Sequence, residues 1–258
     1  MKKIFCTVGP SSLNKLFLKN AEKFKVSLLR INLSHTSLSN LPKVIGFIKN
    51  NCKIPICIDT EGAQIRSKVK KRKYLKKNSI INITPNMTGS SFSIYPYIAP
   101  HIKKNTILDI GFENLKMKVI SKNEKNLKCK IISGGILDKN KGIHLINQNI
   151  KLPPLTTKDL KAIKIAKSLN IKYYALSFTN SLKDVIFFNN LLKKEQKIFK
   201  IETKSGIRNL RKIFSISDKI IIDRGDLSKD MNLINIPLAQ RKIHQISNSL
   251  KNKKVYVA

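Results

Sequence analysis

The sequence predicts a parallel α/β barrel interrupted by a separate all-β domain. Three observations carry that prediction. Short β-rich runs alternate with amphipathic helical patterns through most of the 258 residues, the rhythm of strand–helix crossover units. A middle segment breaks the rhythm. The unusual polar residues recur just after the β-rich runs, on the face where a parallel barrel assembles its site.

In chain order, the β-rich runs are Lys3–Cys6, Ser27–Ile31, Pro55–Ile58, Tyr173–Leu176, Ile198–Ile201, Lys219–Ile222 and Lys254–Val257. Between them lie the helical patterns Leu13–Phe24, Leu38–Asn50, Thr157–Leu169, Leu182–Lys193, Ile207–Phe214 and Pro237–Leu250. Ser11 and Ser12 mark a start for the first, and Thr156-Thr157 with Asp159 for the third, because short oxygen-bearing side chains satisfy free N–H groups at a helix start. From about Ser67 to Ile150 no helical period is visible. That stretch reads as short strands with turns at Pro85-Asn86, Met87-Thr88-Gly89 and Gly134-Gly135. The domains expected are therefore 1–66, the first part of the barrel; 67–150, the β insert; and 151–258, the second part, ending in a seventh strand.

Composition narrows the class. Apolar residues make up 41% and charged residues 26%, enough to build a core and too apolar for a disordered chain. No apolar run approaches the roughly 18 residues that span a bilayer. The opening Met1-Lys2-Lys3-Ile4-Phe5-Cys6 turns polar too early for a signal peptide. Four scattered cysteines without zinc-knuckle spacing read as reduced thiols in a cytoplasm. With 51 Lys+Arg against 15 Asp+Glu the net charge is +36, which favours non-specific contact with nucleic acid. Because Lys, Asn and Ile are enriched everywhere, the charge reads as a compositional bias. The one dense basic cluster, Lys68 to Lys77, reads as a solvated hairpin.

The scarcity of acids makes their placement informative. Asp59, Glu61, Glu202, Asp223 and Asp226 all follow predicted strands. Glu202 and Asp226 end successive strands, and a pair of hard carboxylate ligands suits Mg²⁺ shared with a phosphate-bearing substrate. Either alone could be an ordinary surface acid. Lys200 shares a strand face with Glu202 and could stabilise a transferring phosphoryl group; without that neighbour it would be one lysine among many. Arg30 offers a bidentate phosphate contact or a structural ion pair. Asn32, Ser34, Asp59 and Thr60 supply oxygens for a weakly held monovalent cation, and each could equally cap a helix.

These residues resemble the pyruvate kinase family. The resemblance is carried by Lys3-Ile4-Phe5-Cys6-Thr7-Val8-Gly9-Pro10-Ser11-Ser12, Arg30-Ile31-Asn32-Leu33-Ser34-His35 and Asp59-Thr60-Glu61-Gly62-Ala63-Gln64-Ile65-Arg66. It continues from Asn140-Lys141-Gly142-Ile143 to Leu152-Pro153-Pro154-Leu155-Thr156, then Ser177-Phe178, Lys200-Ile201-Glu202-Thr203 with Gly206, Arg224-Gly225-Asp226-Leu227 and Ile236-Pro237-Leu238-Ala239-Gln240. It implies an incomplete TIM (β/α)8-type barrel whose β insert acts as a lid. It implies phosphoryl transfer from phosphoenolpyruvate to ADP, giving pyruvate and ATP, the last step of glycolysis. Lys200 would be the catalytic lysine, and Arg30 would face the phosphoryl group. Glu202 and Asp226 would hold Mg²⁺ (or Mn²⁺), Gly225 and Asp226 would contact substrate, and Asn32, Ser34, Asp59 and Thr60 would surround K⁺. His35, Arg66 and Lys141 would face the nucleotide.

The departures shape the expectations. Gln64 stands for the family's glutamate and Glu61 for its lysine, which bears on K⁺ dependence. Asp223 stands where the family has alanine beside the substrate carboxylate, and its charge should repel an anionic substrate unless a cation pairs with it. Ser228 replaces a glycine, and Ile146-Asn147 replaces Pro-Gly near the lid hinge. Ala258 falls within the predicted seventh strand, so the barrel is expected to be completed by a second chain (a homo-oligomer), a separately encoded second fragment or a continuation of the gene. The competing readings are an inactive remnant of the family and a basic protein that binds nucleic acid non-specifically.

Overall fold

A computed structural model describes residues 3–258; the Met1-Lys2 start of the basic opening lies outside the described residues. The chain forms two compact units. One is built from residues up to Ala63 and from Pro153 to Ala258, and the other from Gln64–Leu152.

The first unit opens with β1 (Phe5–Thr7), α1 (Lys15–Lys23), β2 (Leu28–Asn32), α2 (Leu41–Asn51) and β3 (Ile56–Asp59). The insert then contributes β4 (Ile65–Lys68), β5 (Lys73–Leu75), β6 (Ile80–Ile83), β7 (Ser93–Tyr95) and β8 (Ile107–Ile110). It continues with β9 (Leu115–Lys122), β10 (Leu127–Ser133), β11 (Gly135–Leu137) and β12 (Gly142–Ile146). The chain returns through α3 (Thr157–Ser168), β13 (Tyr173–Leu176), α4 (Leu182–Leu191), β14 (Gln196–Ile201), α5 (Lys204–Arg208), α6 (Leu210–Ser215) and β15 (Lys219–Ile222). It ends with α7 (Arg224–Asp230), α8 (Ile236–Asn248) and β16 (Lys254–Val257).

The first unit's seven strands form one parallel sheet in the order β1-β2-β3-β13-β14-β15-β16. Both faces are apolar, as a parallel sheet between layers requires. Leu29, Ile31, Ile58, Tyr174, Leu176, Phe199, Ile201, Ile220 and Ile222 pack with the helices. The alternate residues Leu28, Cys57, Ala175, Ile198 and Ile221 form an inner cluster with Phe5, Tyr173 and Tyr256. The sheet curls enough to bring the Phe5 and Tyr256 rings, from its two outermost strands, to 4.5 Å between centroids.

Helix starts follow local chemistry. Thr156 and Asp159 form a reciprocal capping box on α3, and Ser181 and Asp184 do the same on α4. The first helix starts later than the serines predict. Asn14 caps it, accepting from the Phe17 N–H at 2.8 Å, while the Ser12 hydroxyl accepts from the Gly9 N–H. The pattern expected over Ile207–Phe214 resolves into α5 and α6, meeting at Asn209. Helix α7, seven residues long, was not visible as a hydrophobic period.

The insert is an antiparallel sheet in the order β6-β10-β9-β8-β12-β4-β7, and a bridge between Ile83 and Phe92 brings its two ends together. Leu115, Met117 and Val119 on β9, with Leu127, Cys129 and Ile131 on β10, alternate inward into its own core. The basic run Lys68–Lys77 is not a hairpin. Strand β4 pairs with β12 and β7, whereas β5 pairs with β11 in a separate two-stranded sheet. Val69 and Leu75 turn into the core, which anchors the run and leaves Tyr74 exposed.

Candidate active site

Strand alternation builds the site. Two residues beyond the inner apolar layer, the same side of each strand turns polar. Leu28 is followed by Arg30, Cys57 by Asp59, Ala175 by Ser177, Ile198 by Lys200 and then Glu202, and Ile221 by Asp223. A ring of charge therefore stands on an apolar floor at the carboxyl end of the sheet.

The ring is tightly connected. The Arg30 Nε donates to Asp59 Oδ2 at 2.6 Å, a second guanidinium nitrogen pairs with the same oxygen, and the third donates to Thr7 Oγ1 at 3.0 Å. Ser177 donates its hydroxyl to Asp59 Oδ1 at 3.0 Å. The ammonium of Lys200, 4% exposed, lies 2.7 Å from Glu202 Oε1, 3.1 Å from Asp223 Oδ2 and 3.5 Å from Asp59 Oδ2. Burial works against that charge, but the surrounding carboxylates, Asp59 foremost, hold Lys200 protonated above its ordinary range. Burial likewise opposes the Asp223 charge, yet Lys200 keeps it below the usual carboxylate range. Glu202 is pushed up to about 8 by burial. The pull of Lys200 opposes this, and repulsion from Asp223, Asp226 and Asp59 adds to it.

Glu202, Asp223 and Asp226 each bring a carboxylate oxygen within 4.8 Å of the others. Glu202 is 1% exposed. Its Oε2 accepts the Phe178 N–H at 2.5 Å, whereas its Oε1 has no hydrogen-bond partner. Lys200 stands beside that oxygen as an ion pair without the alignment of a hydrogen bond. Three clustered carboxylates, one of them buried with an oxygen that makes an ion pair but no hydrogen bond, fit a hard divalent cation.

The expected K⁺ residues meet at the ends of two neighbouring strands, where Asn32 and Asp59 are register partners. Asn32 Oδ1 accepts the Ser34 N–H at 2.9 Å, and Thr60 Oγ1 accepts the Ser177 N–H at 3.0 Å. The set is all oxygen, the donor type that suits K⁺, and its one charge, on Asp59, is already matched by Arg30 and Lys200. Gly225 is the second residue of α7 and exposed, and Asp226 follows it. His35 is exposed just past β2. Arg66 and Lys141 belong to the other unit, at the β4–β12 ladder, where Arg66 donates to the Asn140 carbonyl and Lys141 lies 3.3 Å from Glu113.

Sequence reasoning left two features unassigned. Asp223, counted among the strand-end acids but given no role with the metal pair, belongs to the cluster with Glu202 and Asp226, and the signal was its place three residues before Asp226 across a helix start. A buried clasp also joins the end of β3 to α3. Asp159 accepts the N–H groups of Glu61 at 2.7 Å and Gly62 at 3.2 Å, while Lys158 Nζ pairs with Glu61 Oε1 at 2.9 Å and donates to the Leu33 carbonyl. Glu61 thus finds its own counter-ion. Gly62 is obligatory: its φ is +67°, and an added Cβ would lie 2.5 Å from the Ser177 carbonyl oxygen.

Comparison with known proteins bears on these residues. Curated pyruvate kinases of Staphylococcus epidermidis, Staphylococcus saprophyticus and Staphylococcus aureus are 29%, 28% and 28% identical to the chain over 96% of its length. The chain spans 45% of each of those relatives, about half their length. The family model for the pyruvate kinase barrel domain matches residues 1–258. On that match, and with the strand-end cluster in the order the motifs require, the chain belongs to the pyruvate kinase family.

Proposed function

We propose that the chain transfers the phosphoryl group of phosphoenolpyruvate to ADP, giving pyruvate and ATP. The observation that carries this reading is the buried Lys200 ammonium set beside Glu202 and within the ring that also holds Arg30. Phosphoryl transfer asks a protein mainly for positioning and charge neutralisation, and this ring supplies both.

Lys200 meets the charge on the transferring group, and its carboxylate neighbours keep it protonated at neutral pH. Arg30, steered by Asp59 and Thr7, presents its guanidinium to the same group. The Gly225 N–H contacts the substrate. Glu202 and Asp226 would hold Mg²⁺ or Mn²⁺, which when bound neutralises substrate anion charge and polarises phosphoryl oxygens. Asn32, Ser34, Asp59 and Thr60 would hold K⁺ as a weaker, structural cation. We place the reaction in the cytoplasm; no helix among the described residues is long and apolar enough to cross a membrane.

Pyruvate formation by the purified chain from phosphoenolpyruvate and ADP, with Mg²⁺ and K⁺, tests the proposal against the Lys200→Met variant. Turnover that the variant lacks supports it. Equal, background-level signals from two folded proteins, verified by circular dichroism, overturn it.

A further inference from the structure

The geometry points to Asp223 as a third carboxylate ligand of the divalent cation, added to Glu202 and Asp226, so that the ion is resident before substrate arrives. This rests on the reading above that the cluster holds Mg²⁺ or Mn²⁺, and it goes further in assigning a ligand that the family resemblance does not supply.

Four observations converge. The three carboxylate oxygens lie within 4.8 Å of one another. Oxygens bound to one octahedral Mg²⁺ at about 2.1 Å stand about 3.0 Å apart when adjacent and about 4.2 Å apart when opposite, so a contraction of up to about 1.8 Å, within the reach of side-chain rotation, closes the site. Glu202 is buried, and its Oε1 makes no hydrogen bond, its one charged neighbour being Lys200. Asp223 is pinned there, because it caps α7, its Oδ1 lying 3.4 Å from the Asp226 N–H. One helical turn therefore sets Asp223 and Asp226 side by side, while Glu202 arrives from the adjacent strand. Finally, Lys200 approaches Glu202 at 2.7 Å and Asp223 at 3.1 Å, so a cation already sits at the edge of the space.

Charge gives the same answer. Once Glu202 gives up its proton to the incoming ion, Asp59, Glu202, Asp223 and Asp226 carry four negative charges against Arg30 and Lys200, a deficit of two that one divalent ion cancels. Uncompensated buried charge is expensive, and with alanine in place of Asp223 the deficit would be one. Three protein carboxylates leave three of six octahedral positions open, enough for a bidentate substrate and a water.

Titration with Mn²⁺, read by loss of the free-ion electron paramagnetic resonance signal, tests this without any turnover. Asp223→Asn keeps the cap, since Asn is as good an N-cap, and removes the charge. It should weaken Mn²⁺ binding by about 10- to 100-fold, the range seen when support for a metal ligand is lost. Asp218→Asn, which removes a surface acid paired with Lys253, should leave binding unchanged. Lys200→Met should tighten it. Wild-type binding that Asp223→Asn leaves intact, while Glu202→Gln abolishes it, overturns the role of Asp223 and spares the metal site. No Mn²⁺ binding by the wild type overturns both.

Discussion

Replacing Lys200 with methionine removes the cation at the centre of the ring and leaves a side chain of similar length. The structure sets the size of the effect. Three carboxylate oxygens lie 2.7, 3.1 and 3.5 Å from the ammonium, and each such contact is worth about 5–6 kcal/mol gross at an effective dielectric of about 20. Desolvation of the buried ammonium cancels most of that sum, and stripping one partner from a buried pair nets about 3–5 kcal/mol. The variant should lose that much stability in urea unfolding without divalent metal, and Mg²⁺ should return more stability to it than to the wild type.

The loss should also depend on pH. The Glu202 carboxyl stands at about 8 in the folded protein, above its ordinary 4.5. Its favourable contribution is therefore full at low pH and is lost as the pH rises from about 4.5 towards 8. Without Lys200 that carboxyl moves up further, so the variant's deficit should hold steady up to about pH 8 and widen above it, where the wild-type carboxyl ionises and the variant's stays protonated. A loss below about 1 kcal/mol, or one that shrinks as pH rises, would refute the account of Lys200 as the charge that offsets the burial of these acids.

Other consequences can be measured alongside. Asp159→Asn turns an amide NH₂ towards N–H groups that now meet a carboxylate, and should cost about 2–3 kcal/mol in urea unfolding. Gly62→Ala forces a Cβ against the Ser177 carbonyl at positive φ and should lower stability by at least about 2 kcal/mol by the same assay. Among the four thiols, Cys52, Cys57 and Cys129 are buried and Cys6 only partly so. Burial pushes Cys129 up to about 12 and raises Cys52 and Cys57 as well. A thiol reagent at pH 8 should therefore label Cys6 first and the others only after denaturant is added.

Much of the barrel was readable because its physics is local. The strands are continuous apolar runs, buried on both faces, and the helices announce themselves through a period and a cap, as at Thr156 and Ser181. The ring residues Arg30, Asp59, Lys200 and Glu202 could be placed by counting in twos from the inner apolar layer. What escaped depended on partners distant in sequence. Nothing near Lys68–Lys77 says that β5 pairs with β11 and not with β4. Asp223 read as an intruding charge because its neighbours Lys200 and Glu202 come from a different strand. Glu61 read as an anomaly because its partner, Lys158, lies beyond the whole insert.

The pairing of β3 with β13, Cys57 opposite Tyr173 and Asp59 opposite Ala175, gives the molecule a vectorial folding problem. As the chain leaves the ribosome, β1, β2 and β3 emerge first with one side of β3 unpaired. The insert follows and can fold at once, since hairpins such as β9–β10 are local. The barrel must wait for β13, and the Asp159 clasp on the Glu61 and Gly62 amides can form only then. A nascent chain stalled within the insert would display the bare edge of β3, a template for wrong pairing. Expression yield should thus follow translation speed through the insert more closely than the stability of the finished protein.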